Sequence, residues 1–227
     1  MDGHRAFVIP SPHAHPGRPQ PWVWYAPTLP GLPGPEETWM FGKFGAAGLA
    51  IAGIDVGESF GSPRGRAVFT AFHQHVVSRR GFAAKPGLLA RSRGGLMLYN
   101  WAVEHPESVA CIAGIYPVCN LASYPGLAKA CAAYGLTGSE LAARLAEHNP
   151  LERVAPLAAA RVPILHLHGD NDVIVPLADN SAALAERYRR HGGELRLIVV
   201  KGGGHDRWPG WFESPELVDF MIRHAGS

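Results

Sequence analysis

The chain has 227 residues, is 47% hydrophobic and is nearly charge-balanced, with 21 basic and 19 acidic residues and a formal net charge of +2. That length suits one globular domain over 1–227 with a sizeable core. The charge balance excludes a nucleic-acid footprint, and the longest apolar runs fall far short of a bilayer span, so neither nucleic acid nor membrane is an expected partner.

In chain order, residues 5–9 read as a short strand, closed by Pro10 and a His/Pro/Gly-rich turn through Pro21. Residues 22–26 are aromatic and β-branched and predict a second strand, ended by a proline-dense stretch from Pro27 to Pro35. Met40, Phe41 and Phe44 share one face of a predicted helix over 36–48. A buried strand over 49–55 follows, then an amphipathic helix over 66–79. Residues 86–90 predict a strand and 94–105 a helix leaving it; 109–116 is again a buried strand. The alanine-rich region 120–160 reads as a modest helix-and-loop insertion. Strands over 162–168 and 194–200 flank a helix over 177–191, and Ser214-Pro215-Glu216 caps the last helix. Alternating strands and helices predict a three-layer α/β/α sandwich on a mostly parallel sheet. In such sheets, chemistry gathers at the carboxyl ends of the strands.

One strand end stands out, at Ala90-Arg91-Ser92-Arg93-Gly94. A strand that turns sharply into a helix holds a serine hydroxyl at its tip, and residues two before and two after must be small for strand and helix to approach. Ser92 is therefore the candidate nucleophile. The literal G-x-S-x-G pattern falls instead at Gly57-Glu58-Ser59-Phe60-Gly61, but Gly61, Ser62, Pro63 and Gly65 prevent a helix from leaving Ser59 directly. A serine needs a base, and the base needs an orienting carboxylate. After the next-to-last strand comes His168-Gly169-Asp170-Asn171-Asp172, and after the last comes Gly203-Gly204-His205. The chain order is thus Ser92, Asp172, His205, with Asp170 as the alternative acid.

On these residues the chain resembles the α/β-hydrolase superfamily over nearly its whole length. The block His168-Gly-Asp-x-Asp172-x-x-Val-Pro is similar to that of its carboxylesterase, acyl-thioesterase and dienelactone-hydrolase-like branch. The resemblance implies Asp172 as triad acid, His205 as base and a minimal cap. It also implies an oxyanion hole from the Arg93 N–H and an N–H after the second strand. The superfamily usually carries His-Gly there. Here the place reads Ala26-Pro27-Thr28-Leu29, and because Pro27 has no N–H the donor is expected at Thr28 or Leu29.

The expected activity is cleavage of short-chain, carbohydrate or phenolic acyl esters through an acyl-enzyme, with no cofactor, in a monomer or small homo-oligomer. Arg93, Glu58, Tyr116 and Trp208 are the candidate substrate contacts. Bland alternatives stand beside them: a structural ion pair for Arg93, a solvated loop position for Glu58, core cover for Tyr116 and Trp208. The His-x-His pairs at 13/15, 73/75 and 166/168 invite a metal reading. Packed histidines are the commoner case, and no metal is expected. Three cysteines without a C-x-x-C and an N-terminus without a signal-peptide layout set a cytoplasmic expectation. The rival activities are a prolyl-oligopeptidase-type peptidase or amidase, which usually carries a large additional domain, and a ligand-binding protein on the same scaffold.

Overall fold

The computed structural model describes residues 3–13 and 17–226. His15 of the 13/15 histidine pair and the first two residues lie outside the described residues. Strands β1 (Ala6–Ile9), β2 (Trp22–Ala26) and β3 (Ala50–Ile54) bracket helix α1 (Thr38–Ala46), which a 3₁₀ turn at Pro35–Glu37 leads into. Helix α2 (Pro63–Arg80), β4 (Gly87–Arg91), α3 (Gly94–Ala102) and β5 (Cys111–Ile115) follow. The region 120–160 folds as five short helices: α4 (Leu127–Tyr134), α5 (Gly138–Ala143), α6 (Leu145–His148), α7 (Pro150–Arg153) and α8 (Ala155–Ala159). Strand β6 (Ile164–Gly169), a π-turn (Ala178–Ala182), α9 (Ala183–Arg190), β7 (Leu195–Val200), α10 (Pro209–Phe212) and α11 (Pro215–Ala225) complete the described chain.

The seven strands form one sheet in the order β1-β3-β2-β4-β5-β6-β7, parallel except for β1, which runs antiparallel to β3. Residues two apart on a strand share a face, so each central strand feeds two cores. From β2, Trp22 and Trp24 enter the core beneath α2, α3 and α9 with Phe69, Phe72, Trp101 and Tyr188. Val23 and Tyr25 enter the opposite core with α1, α10 and α11. These two cores on either face are the three layers expected from the sequence. A smaller cluster of Leu96, Val118, Leu121, Ala130, Leu141 and Val175 carries the first helices of the insertion. Leu151, Val154 and Leu157 from its later helices join the main core instead.

Element ends differ from expectation where capping chemistry decides. Helix α2 starts three residues early because Ser62 Oγ accepts from the Gly65 N–H (3.4 Å) and Pro63 occupies the first turn, where its missing N–H costs nothing. Helix α3 stops at Ala102, three residues before the expected end, in turns closed by the Glu104 and His105 N–H groups. The predicted helix over 177–191 opens as the wider π-turn, which buries Asn180 and Ser181 completely.

Candidate active site

Ser92 sits between β4 and α3 with φ of +49°, a backbone conformation that a non-glycine residue holds only when its surroundings impose it. Its N–H donates to Ile115 O (3.0 Å), and its carbonyl accepts from Gly95 (2.9 Å) and Val118 (2.8 Å). The small neighbours have a visible cause: a Cβ at Gly94 would run into the carbonyl of Ala26 on β2. Ser92 Oγ stands 2.9 Å from His205 Nε2, and His205 Nδ1 stands 2.7 Å from Asp172 Oδ2. A carboxylate can only accept, so the proton lies on Nδ1 and Nε2 is left to receive the serine's.

Asp172 is held in the turn after β6, where its Oδ1 accepts from the N–H groups of Ile174 (3.0 Å) and Val175 (2.8 Å). Burial pushes its carboxyl up, but the side chains of His168 and His205 and the Val175 N–H outweigh that and hold it well below the usual carboxylate range. His205 comes from the loop after β7, with the ring of Tyr116 4.2 Å away, centroid to centroid. Asp170 is exposed, and its Oδ1 accepts from Gly202 N (2.6 Å), tying the ends of β6 and β7 together. Ser59 lies in the loop before α2, where its Oγ bonds no histidine; the Gly61 N–H reaches it at 3.5 Å.

Ser92 and His205 open on a cleft of about 400 Å³, walled by Pro27, Pro30, Gly31 and Leu32 on one side and by Tyr116 and Arg207 on the other. The expected second oxyanion donor needs correction. Leu29 N–H already donates to Leu32 O (3.1 Å), closing a small turn, and Thr28 bridges to Asp55 on the β3 side. Neither residue forms the cleft wall. Gly31 does: among the described residues no acceptor takes its N–H, and the same holds for the N–H of Arg93 beside Ser92.

Of the four candidate substrate contacts, Arg93 and Tyr116 line the cleft. Glu58 stands outside it, 3.1 Å from Arg93 Nε and off the line of that N–H, as an ion pair. Trp208 is half exposed and packs edge-on against Trp211, away from the cleft wall. Cys119 is buried and its thiol is pushed up by that burial, which suits an inert core residue. Among the described residues, no group of three or more His, Cys, Asp or Glu could hold a metal ion, and no helix is long and apolar enough to cross a membrane.

Sequence reasoning missed Arg91, whose guanidinium underlies the cleft. Arg91 Nη1 donates to Glu37 Oε1 (2.6 Å), which also accepts from the hydroxyl of Tyr25 (2.7 Å), and the guanidinium lies 4.6 Å from the Phe212 ring centre. Burial pulls Arg91 down, but Tyr25 and Glu37 together hold it above the ordinary arginine value. A charged residue closing an otherwise apolar strand was the available signal, alongside the Glu36-Glu37 pair.

Comparison with known proteins bears on the fold and the family. No curated protein matches the chain. Dipeptidyl peptidase 4 of Porphyromonas gingivalis superposes with a TM-score of 0.77 at 14% identity, over 96% of this chain and 33% of that one; this chain therefore spans about a third of that peptidase. An S-formylglutathione hydrolase of Agrobacterium tumefaciens gives 0.74 at 17% identity, over 97% and 88% of the two chains. Est1E of Butyrivibrio proteoclasticus gives 0.68 at 16%, over 99% and 95%. At such identities the likeness shows the α/β-hydrolase fold alone. Residues 69–220, well over half the chain and including Ser92, Asp172 and His205, match the prolyl oligopeptidase family, so the chain belongs to that family of serine hydrolases.

Proposed function

We propose that the chain hydrolyses carboxylic esters of short or otherwise accessible acyl groups, with Ser92 as nucleophile. The observation that carries this reading is the hydrogen-bonded line from Ser92 Oγ through His205 to Asp172, at 2.9 and 2.7 Å, opening directly on the cleft. Ser92 Oγ attacks the ester carbonyl while His205 Nε2 takes its proton, and Asp172 holds the imidazole and stabilises its charged form. The oxyanion lies against the Arg93 N–H at the start of α3, with the Gly31 N–H as the second donor in place of Thr28 or Leu29. His205 then protonates the departing alcohol. The acyl-enzyme is hydrolysed by a water that gives its proton to the same nitrogen.

A second reading, amide or peptide hydrolysis, is favoured by the prolyl oligopeptidase family match. Against an aminopeptidase stands the state of the carboxylates around the cleft, because each is already engaged. Glu37 holds Arg91, Glu36 holds Arg207 (2.8 Å) and Glu58 holds Arg93. Asp206 accepts from the Trp208 N–H (3.0 Å) and Trp211 Nε1 (2.9 Å). Among the described residues, each of these carboxylates already has a partner.

The test compares turnover of short-chain p-nitrophenyl esters and aminoacyl p-nitroanilides by wild type and Ser92→Ala. Ester turnover that exceeds anilide turnover in wild type and falls at least about a thousandfold in the variant is expected. An undiminished Ser92→Ala rate would remove Ser92 from the mechanism. Anilides cleaved better than esters would establish the peptidase reading.

A further inference from the structure

Behind Asp172 lies a line of buried polar groups that the hydrolytic mechanism leaves unused. His166 and His168 point to the same face of β6, as residues two apart on a strand must, and both are fully buried. Ser181, brought in by the π-turn, reaches both: its Oγ stands 2.9 Å from His166 Nδ1 and 2.7 Å from His168 Nδ1. His166 Nε2 stands 2.7 Å from the hydroxyl of Tyr99 on α3. At the other end, His168 Nε2 stands 2.8 Å from Val175 O and 3.5 Å from Asp172 Oδ2.

With both imidazoles neutral, the carbonyl at one end sets every proton. Val175 O can only accept, so His168 carries its proton on Nε2 and its Nδ1 accepts from the Ser181 hydroxyl. Ser181 has then spent its only proton, so it accepts from His166 Nδ1–H. His166 Nε2 is left to accept from Tyr99 O–H. Every member is satisfied in its neutral form, and all the bonds run one way, toward the acid turn. The space is built for it: a Cβ on Gly114, the β5 partner of His166, would fall 2.7 Å from that ring. Val175 joins the line to the acid, because its carbonyl accepts from His168 while its N–H donates to Asp172 Oδ1. Tyr99 joins the line to the nucleophile, because α3 is the helix that leaves Ser92.

We propose that His168, held by Ser181, His166 and Tyr99, is a positioning residue for hydrolysis: it fixes the Val175 peptide and presents a second imidazole N–H to Asp172, locking the acid turn to the nucleophile's helix. The proposal rests on Ser92, His205 and Asp172 acting as assigned above. A fully satisfied buried network specifies one geometry, whereas a half-satisfied one is costly, so the line holds the acid in a single place. It also sets how strongly Asp172 attracts the proton of His205. Besides Asp172, His205 faces Tyr116 from the end of β5, Asp206 on its own loop, and Arg91, Arg93 and Arg207 around the cleft. None of these belongs to the line, so its loss reaches His205 through Asp172 alone.

The experiment uses full-length wild type, His168→Asn, His168→Gln and Ser181→Ala, with Tyr188→Phe as a buried-tyrosine control outside the line. Glutamine can place an N–H near the Nε2 position; asparagine cannot. For His168→Asn, kcat on a p-nitrophenyl ester is expected to fall about tenfold to a hundredfold at little changed KM. The acid limb of kcat/KM and the NMR titration midpoint of His205 are expected to rise by about half a pH unit or more. Glutamine restores most of both, and Tyr188→Phe moves neither. Side-chain nitrogen NMR of wild type is expected to show His166 as the Nδ1–H tautomer and His168 as Nε2–H; Ser181→Ala shifts the His205 midpoint in the same direction as asparagine if the asparagine variant fails to fold. A Nδ1–H tautomer at His168, equal losses in the Asn and Gln variants, or an unmoved His205 midpoint in a folded variant overturns the proposal. The tautomers and the His205 midpoint are read without substrate, so a wild type inert toward esters and amides sinks the hydrolytic reading separately.

Discussion

Acidification from about pH 7 to about pH 5 is expected to cost this protein stability through His166 specifically. Complete burial, with the neighbouring His168 adding to it, pulls the His166 imidazole down to about 3. In the unfolded chain the same ring titrates near ~6.5. The folded state refuses a proton that the unfolded state accepts, so the stabilisation present above the unfolded value is lost progressively as pH falls toward the folded one. Over that two-unit descent the unfolded chain gains about 1.4 units of differential proton affinity, worth about 2 kcal/mol from this one group. Against a typical total of ~5–15 kcal/mol, that is readily measured. His73, His105 and His148 are also pulled down by burial, so the wild-type loss alone is not diagnostic. The diagnostic quantity comes from urea unfolding at both pH values in wild type and His166→Gln. The variant is less stable throughout, but its loss between the two pH values is expected to be smaller by about 2 kcal/mol. Equal losses would mean that His166 is not held neutral, and the directed hydrogen-bond line drawn through it would be wrong.

Two further perturbations test the packing around the site. Glu37→Leu leaves the Arg91 guanidinium without its 2.6 Å partner under the cleft and is expected to cost about 3–5 kcal/mol in urea unfolding; a loss under about 1 kcal/mol would show that Glu36 or water replaces it. Gly114→Ala inserts a methyl 2.6 Å from Pro117 Cγ and 2.7 Å from His166 Cδ2, with an expected cost of about 1–3 kcal/mol. Gly138→Ala, with nothing within 4 Å of the new Cβ, serves as its neutral control.

The fold and the candidate triad were legible in the sequence because both depend on short-range pattern. Period-two alternation over residues 22–26 divides Trp22 and Trp24 from Val23 and Tyr25, and the two sets enter opposite cores. Ala90 and Gly94 mark the sharp turn, and at Gly94 a Cβ would run into the Ala26 carbonyl of β2. Asp172 and His205 announce themselves by following strands β6 and β7. Domain size, by contrast, discriminated poorly within the superfamily. It ranked the prolyl-oligopeptidase type second, yet residues 69–220 match that family.

What escaped the sequence depends on groups far apart in the chain and on backbone that no propensity announces. Arg91 meets Glu37 only because β4 ends above the 3₁₀ turn before α1. The oxyanion-side loop looked like a question of which residue follows Pro27. The Leu29–Leu32 turn consumes one expected N–H, and among the described residues no acceptor takes the one at Gly31, which is why the proposal places the second donor there. The 166/168 pair was legible as buried, and its i, i+2 spacing correctly put both rings on one face. Its partner was not legible, because Ser181 reaches the pair only from a π-turn, where a regular helix would have rotated it elsewhere. Once that serine is in place, the two histidines cease to look like metal ligands in search of a third. Each imidazole has both ring nitrogens occupied, one of them through the same hydroxyl, so a metal would have to break the line to bind. The same pattern of bonds gives the pair its direction, from the helix of Ser92 to the turn of Asp172.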